Sequence, residues 1–344
     1  MTGPPLRVGL VGCGAIACEH HLPALHRMSG AEVVGFADPD QTARARAAKL
    51  ASAARGHADA AELLTRSDVD AVVVAAPTEL HAALAAASAR AGKHVYVEKP
   101  LATTEHEARH VLEEVARTGV TAIVGFNRRR HPGYEQARRL LAAGRIGQVH
   151  LVQTAFCEPV GLSRLPEWKR ARATGGGVLL DLGSHHFDLL RWFLKAEIEV
   201  VNAKVRSCAS EQDEALTEIE TSTGVQVQSV FSFRAAHADF IEFFGELGRL
   251  RVDRHSAVLT LHLRRRSGYG IRRARSSPVH LLAQHAPRLI GSHRDPSYAR
   301  TLAAFVQRVR GADVDVPSLV DGLRSLQAVL AAERLSGSPR LETK

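Results

Sequence analysis

The sequence predicts an α/β chain in two parts: an N-terminal doubly wound parallel sheet, then an α+β domain built on a large, mostly antiparallel open sheet. Three observations predict it. Through residue 126, short apolar runs rich in valine alternate with Ala/Leu/Arg segments of helical length, the mark of βαβ units. A glycine-rich turn joins the first such run to the first helical segment. From Val200 onward, strand-like runs follow one another with short turns and no intervening helix, as in an antiparallel sheet. At 344 residues the chain has the length of two domains, placed at 1–126 and 127–344.

In the first part, strands are expected over 7–11, 32–37, 71–75, 94–97 and 121–125, and helices over 15–28, 41–51, 80–91 and 105–118. Pro77, Gly92 and Gly119 mark breaks between them. In the second, the pattern predicts helices over 134–143 and 178–194 and strands over 149–157, 200–207, 215–221, 225–233, 240–244, 249–252 and 257–263. Segment 264–297, basic and carrying Pro278, Pro287 and Pro296, resists assignment. Helices over 298–310 and 319–336 close the chain and can pack back on the first domain.

Composition excludes several classes. With 45% hydrophobic and 24% charged residues the chain is neither disordered nor fibrous. No apolar run is long enough for a membrane span, and the N-terminus lacks the layout of a signal peptide, so a cytoplasmic protein with no membrane partner is expected. Cys13, Cys18, Cys157 and Cys208 have no zinc-type spacing and read as reduced and structural. The net charge of +9 comes from 38 arginines against 7 lysines. Arg264-Arg265-Arg266 and Arg272-Arg273-Arg275 have only Tyr269 among them, which gives no base-stacking platform and argues against nucleic acid.

The turn after the first strand, Gly12-Cys13-Gly14-Ala15-Ile16-Ala17, has the Gly-x-Gly-x-x-Ala form of a dinucleotide fingerprint. Gly12 permits the turn, Gly14 lets the backbone approach a pyrophosphate, and Ala17 lets the helix pack on the sheet. The amides that open the helix, at Ala15 and Ile16, face the phosphates. Asp38 ends the second strand where an acid can accept hydrogen bonds from the adenosine ribose. Its charge favours NAD over NADP, and Arg44 softens that preference, so NADP is also admitted.

Two further motifs carry chemistry. Lys99, in Glu98-Lys99-Pro100, lies at the carboxyl end of a strand, where doubly wound sheets bind ligands; Pro100 keeps it out of helical conformation. Downstream, Asp181, His185 and Asp188 are spaced i, i+4, i+7 after Gly175-Gly176-Gly177, which would place them on one helical face. No further ligand cluster supports a metal there. Alcohol oxidation needs a group to take the hydroxyl proton as hydride leaves. Either His185 or Lys99 can do so, Lys99 alternatively holding the alkoxide electrostatically. Asp181 is expected to orient Lys99 or the substrate.

These motifs, with Ala76-Pro77-Thr78-Glu79-Leu80-His81 and Gly125-Phe126-Asn127-Arg128 in the same order, resemble the glucose-fructose oxidoreductase/inositol dehydrogenase (Gfo/Idh/MocA) family over nearly the whole length. The resemblance implies an N-terminal Rossmann domain and a C-terminal domain whose open sheet joins subunits into a homodimer or homotetramer. It implies that Lys99, Asp181 and His185 line the active site, with Ala76, Pro77, Thr78, His81, Glu98 and Asn127 near the cofactor. It also implies a sugar, sugar nucleotide or cyclitol as substrate. Arg128, Tyr134, Trp168, Lys169 and Arg172 are candidates to face it, Trp168 by stacking on a sugar ring. Two alternatives remain: a glycosidase using NAD transiently, and a non-catalytic NAD(P)-binding regulator, which would have no use for Lys99, Asp181 and His185.

Overall fold

A computed structural model of the chain describes residues 3–159, 166–254, 259–264, 271–275 and 295–337. Positions 257–258 and most of segment 264–297, including Arg265 and Arg266, lie outside the described residues. The chain forms two compact units, which comprise the described residues of Met1–Arg130, Ala173–Gly175 and Arg294–Leu326, and of His131–Arg172, Gly176–His293 and Gln327–Lys344.

The first unit is built on β1 (Leu6–Val11), β2 (Ala31–Ala37), β3 (Arg55–His57), β4 (Ala71–Val74), β5 (His94–Val97) and β6 (Ala122–Val124). They form one sheet in the order β3-β2-β1-β4-β5-β6, every pair parallel. The order reverses between β1 and β4, so a crevice opens at their carboxyl ends. Valine runs make this possible: all four residues of β4 are buried, as a parallel sheet covered on both faces requires. Its helices are α1 (Leu22–His26), α2 (Gln41–Leu50), α3 (Ala60–Leu64), α4 (Thr78–Arg90) and α5 (Glu105–Thr118). α5 shows how closely local sequence sets a boundary. Thr104 and Glu107 form a capping box at its start, and Gly119, left-handed at φ 70°, ends it.

The helix expected over 15–28 is not uniform. A π-helical turn, Ala17–His21, precedes α1. β3 and α3, absent from the sequence expectation, are a three-residue strand and a five-residue helix, too short for a periodic signal.

The second unit carries α6 (Pro132–Ala142), α7 (Ser184–Leu194), β7 (Val149–Cys157), β8 (Ile198–Arg206), β9 (Glu214–Thr221), β10 (Gln226–Ser232), β11 (Ala238–Gly245), β12 (Gly248–Asp253), β13 (Leu259–Arg264) and β14 (Ile271–Arg275). The strands form one sheet, β14-β13-β12-β11-β7-β10-β9-β8. All neighbours are antiparallel except β7 and β10. β9 alternates buried and exposed residues along its length, so one face is packed and one is wet. α7 covers the packed face: Phe187 meets Phe231 and Phe193 meets Phe243, both edge to face. A second π-helical turn, Leu179–Gly183, leads into α7.

Two helices follow, α8 (Pro296–Val309) and α9 (Leu319–Ser336). Leu302, Phe305 and Val306 of α8 join the same core as Leu10, Phe36, Val73 and Tyr96.

Candidate active site

In the first unit, the glycine turn is shaped by its own backbone. Gly12 has φ 89°, and a Cβ there would stand 2.5 Å from the Ala76 amide nitrogen. Only glycine fits where the ends of β1 and β4 meet. A Cβ on Gly14 would meet nothing within 4 Å, which leaves open space in front of the turn. Asp38 braces it: Oδ2 accepts the Cys13 N–H at 2.7 Å and Oδ1 the Asp40 N–H at 2.8 Å. Arg44 Nη1 donates to the carbonyls of Asp38 and Pro39 at 2.7 and 2.9 Å, so the two charges that bear on cofactor choice are adjacent. Burial pushes the Cys13 thiol up to about 12, which makes it inert. Open space at Gly14, the helix-start amides at Ala15 and Ile16 and the acid after β2 fit a dinucleotide.

The neighbouring strand ends are tied to one another. Pro77 stands at the N-cap of α4. His81 lies with its ring nitrogens 2.7 Å from the Pro100 carbonyl oxygen and 2.8 Å from that of Ala76. It is buried, and burial lowers its basicity. Glu98 also turns inward: Oε1 lies 2.8 Å from His21 Nε2, and Oε2 accepts the Lys99 N–H at 3.2 Å. The Lys99–Pro100 peptide is cis. Val97, Glu98 and Pro100 are buried and Lys99 is half-buried. Thr78 is buried against Gly175, whose left-handed conformation leaves no room for a Cβ beside it. Asn127 Nδ2 donates to Ser297 Oγ at 2.8 Å, and Arg128 is buried.

In the second unit, Gly177 has φ 94° and the Gly177 carbonyl accepts the Asp181 N–H at 3.0 Å. Asp181 lies inside the π-helical turn, whereas His185 and Asp188 lie in α7. The spacing of 3.6 residues per turn behind the expected shared face therefore applies between His185 and Asp188 within α7, while Asp181 sits in the wider turn before it. Its carboxylate meets Lys169 Nζ at 2.7 Å, and the same ammonium lies 5.3 Å from the Trp168 ring centre. Lys169 and Trp168, read as substrate-facing from sequence, are thus coupled to Asp181. Arg172 pairs with Glu333 at 2.5 Å. His185 is buried, tilted against Phe156.

Tyr134 requires a correction. It is fully buried, and its hydroxyl donates to Asp239 Oδ1 at 3.2 Å, so it presents no surface to a substrate. His186 Nε2 approaches the same oxygen at 3.2 Å, and Arg254 Nε donates to Oδ2 at 2.7 Å. Asp239 is the hub joining α6, α7 and β11. Neither Asp239 nor His21 was singled out from sequence; each is defined by a partner distant along the chain.

The comparisons with known proteins agree with this geometry. The profile of an oxidoreductase family with an NAD-binding Rossmann fold, GFO_IDH_MocA, matches residues 6–126, and that of the GFO/IDH/MocA C-terminal domain matches residues 134–251. Inositol 2-dehydrogenase 2 of Saccharopolyspora erythraea is 33% identical over 315 residues, spanning 89% of this chain and 87% of that protein. The chain belongs to the Gfo/Idh/MocA family. A dTDP-3,4-didehydro-2,6-dideoxy-alpha-D-glucose 3-reductase of Actinomadura kijaniata is 32% identical, spanning 73% of this chain and 75% of that one. A 3-ketoreductase from the same organism, solved with NADP and TDP-benzene, superposes with a TM-score of 0.82 at 27% identity and 98% of each chain. This Gfo/Idh/MocA protein is an NAD(P)-dependent oxidoreductase, and its six-stranded sheet is the nucleotide-binding domain. Among the described residues no group of side chains is arranged to hold a metal, and no helix is long and apolar enough to cross a membrane.

Proposed function

We propose that the protein transfers hydride reversibly between NAD(P) and a secondary alcohol or ketone of a cyclitol, sugar or sugar nucleotide. The observation that carries this is Lys99: a half-buried lysine between buried neighbours, at the carboxyl edge of the nucleotide sheet one strand from the switch point. The relatives' names support the substrate class: one is called an inositol dehydrogenase, another reduces a nucleotide-linked ketosugar.

Gly12, Gly14, Ala15, Ile16 and Asp38 would hold the dinucleotide, the acid favouring NAD, with Arg44 leaving room for NADP. The bound nicotinamide supplies the hydride acceptor or donor. Lys99 then holds the carbinol oxygen, and either Lys99 or His185 takes its proton, a role worth roughly 10²–10⁴ in rate. Asp181 is assigned to positioning, with Lys169 as its fixed partner. Four free thiols suit a reducing cytoplasm. The exposed row Lys204, Leu216 and Val230, paired across β8, β9 and β10, fits assembly into a dimer or tetramer.

Nicotinamide absorbance, followed with a panel of cyclitols, sugars and sugar nucleotides and both cofactors, tests the reading. We expect turnover on at least one polyol, and a fall of at least about a hundredfold in Lys99→Ala with NAD(P) affinity kept. Full activity in that variant would overturn the assignment. Release of free sugar without net change in the nicotinamide would replace it with transient-oxidation glycoside cleavage.

A further inference from the structure

We propose that His21 is a positioning residue for Lys99, acting through Glu98. The inference rests on the catalytic reading of Lys99 given above and adds a residue to it.

The turn that carries Lys99 is held from both sides. His21, in the π-helical turn after the glycine loop, places Nε2 at 2.8 Å from Glu98 Oε1. The other oxygen of the same carboxylate accepts the Lys99 N–H. A carboxylate only accepts, so the His21 proton resides on Nε2. On the far side, His81 stands against the Pro100 carbonyl. Each residue of Glu98-Lys99-Pro100 is thereby fixed through side chain or backbone, and His21 is the outermost link on one side.

His21 is itself immobilised. It is fully buried, edge to face with Tyr96 at 5.3 Å and Tyr298 at 5.8 Å. Its Nδ1 has no hydrogen-bond partner among the described residues. Among the described residues the ring makes a single polar contact, and that contact is directed at Glu98.

The pair also sets the charge beside Lys99. Burial alone would push the Glu98 carboxyl up, yet the hydrogen bond from His21, with Lys99 and His81 nearby, holds it below its usual value. Facing the pair are Lys99, His81 of α4, Tyr96 of β5, Tyr298 of α8, and His20, which stacks on Tyr298 and is influenced by Asp295 and Glu19. A lowered carboxyl contributes stability above its unfolded value and loses it as pH falls through the folded one. Removing His21 takes away the donor, so Glu98 protonates at higher pH and releases the Lys99 turn.

Steady-state kinetics test this in His21→Leu and His21→Gln, the second keeping a side-chain N–H donor at a comparable reach. In His21→Leu we expect kcat at least about tenfold lower, KM for NAD(P) and substrate within about threefold, and the acid limb of the pH–rate profile displaced upward by about one unit. His21→Gln should recover most of both. Glu98→Gln, which keeps shape without charge, should lose kcat and that acid limb together. In the unaltered apoprotein, nitrogen NMR of the imidazole should place the proton on Nε2. A lowered Tm with unchanged kcat and pH profile would reduce the pair to packing and overturn the proposal, as would a proton on Nδ1. If Lys99→Ala abolishes turnover while His21→Leu and Glu98→Gln leave kcat and the acid limb unchanged, this inference alone falls. If Lys99→Ala stays active, the reading of Lys99 falls first.

Discussion

The two sheets use their strands in opposite ways. In the parallel sheet, β4 is buried along its whole length and β5 nearly so. Polar chemistry has no place on its faces and emerges only where strands end, at Gly12, Ala76 and Lys99. In the mostly antiparallel sheet, β9 and β10 alternate between core and solvent. Its packed face receives α7 with His185 and His186, and its wet face shows Val201, Leu216 and Val230. One sheet therefore acts through its edge and the other through its faces, and substitutions in each should read out differently.

The largest effect is expected at the hub of the second sheet. Asp239→Leu strands Arg254 and His186 without their shared carboxylate, a loss of about 3–5 kcal/mol. Chemical denaturation should show it while NAD(P) binding by the folded fraction persists. Failure of cofactor binding in that variant would mean the two regions are not separable. Next comes the glycine pair. Gly12→Ala meets the backbone of Ala75 and Ala76 just past β4 and should cost about 2–4 kcal/mol. Gly14→Ala meets nothing in the protein and should leave Tm unchanged while weakening NAD(P) binding about tenfold or more. Equal Tm in the two would break the claim that the parallel sheet acts through its edge. The smallest effect is at Leu216→Lys on the wet face. Monomer stability should move by no more than about 0.5 kcal/mol, and sedimentation should report a smaller assembly than the parent chain.

Much of this was readable from the sequence wherever signals were local. The strand over 94–97 and the helix over 105–118 match β5 and α5 to the residue, and at α5 Thr104, Glu107 and Gly119 carry the boundary chemistry. The glycine turn and Asp38 were equally local. Structure depending on tertiary partners was not legible. Asp181 was expected to orient Lys99 or the substrate; that its carboxylate also meets Lys169, carried on a short 3₁₀ turn, has no signal in the sequence. Tyr134 has the same composition cue whether it faces a ligand or the core, and only the buried Asp239 decides. The two π-helical turns leave no trace in a pattern read at 3.6 residues per turn. His21 and Glu98 are separated by 77 positions, beyond any spacing rule. Within segment 264–297, arginine-rich Ile271–Arg275 forms strand β14, where neither alternation nor apolar content marks one.

The contribution of Leu302, Phe305 and Val306 to the N-terminal core bears on how the protein is made. A ribosome that has released every strand of the parallel sheet has not yet supplied the helix that seals it, since α8 is encoded some 170 codons after β6. The nascent nucleotide domain waits with an apolar flank open while the whole second sheet is synthesised, a period when chaperones would find it. Fragments ending near residue 130 should inherit that open flank permanently.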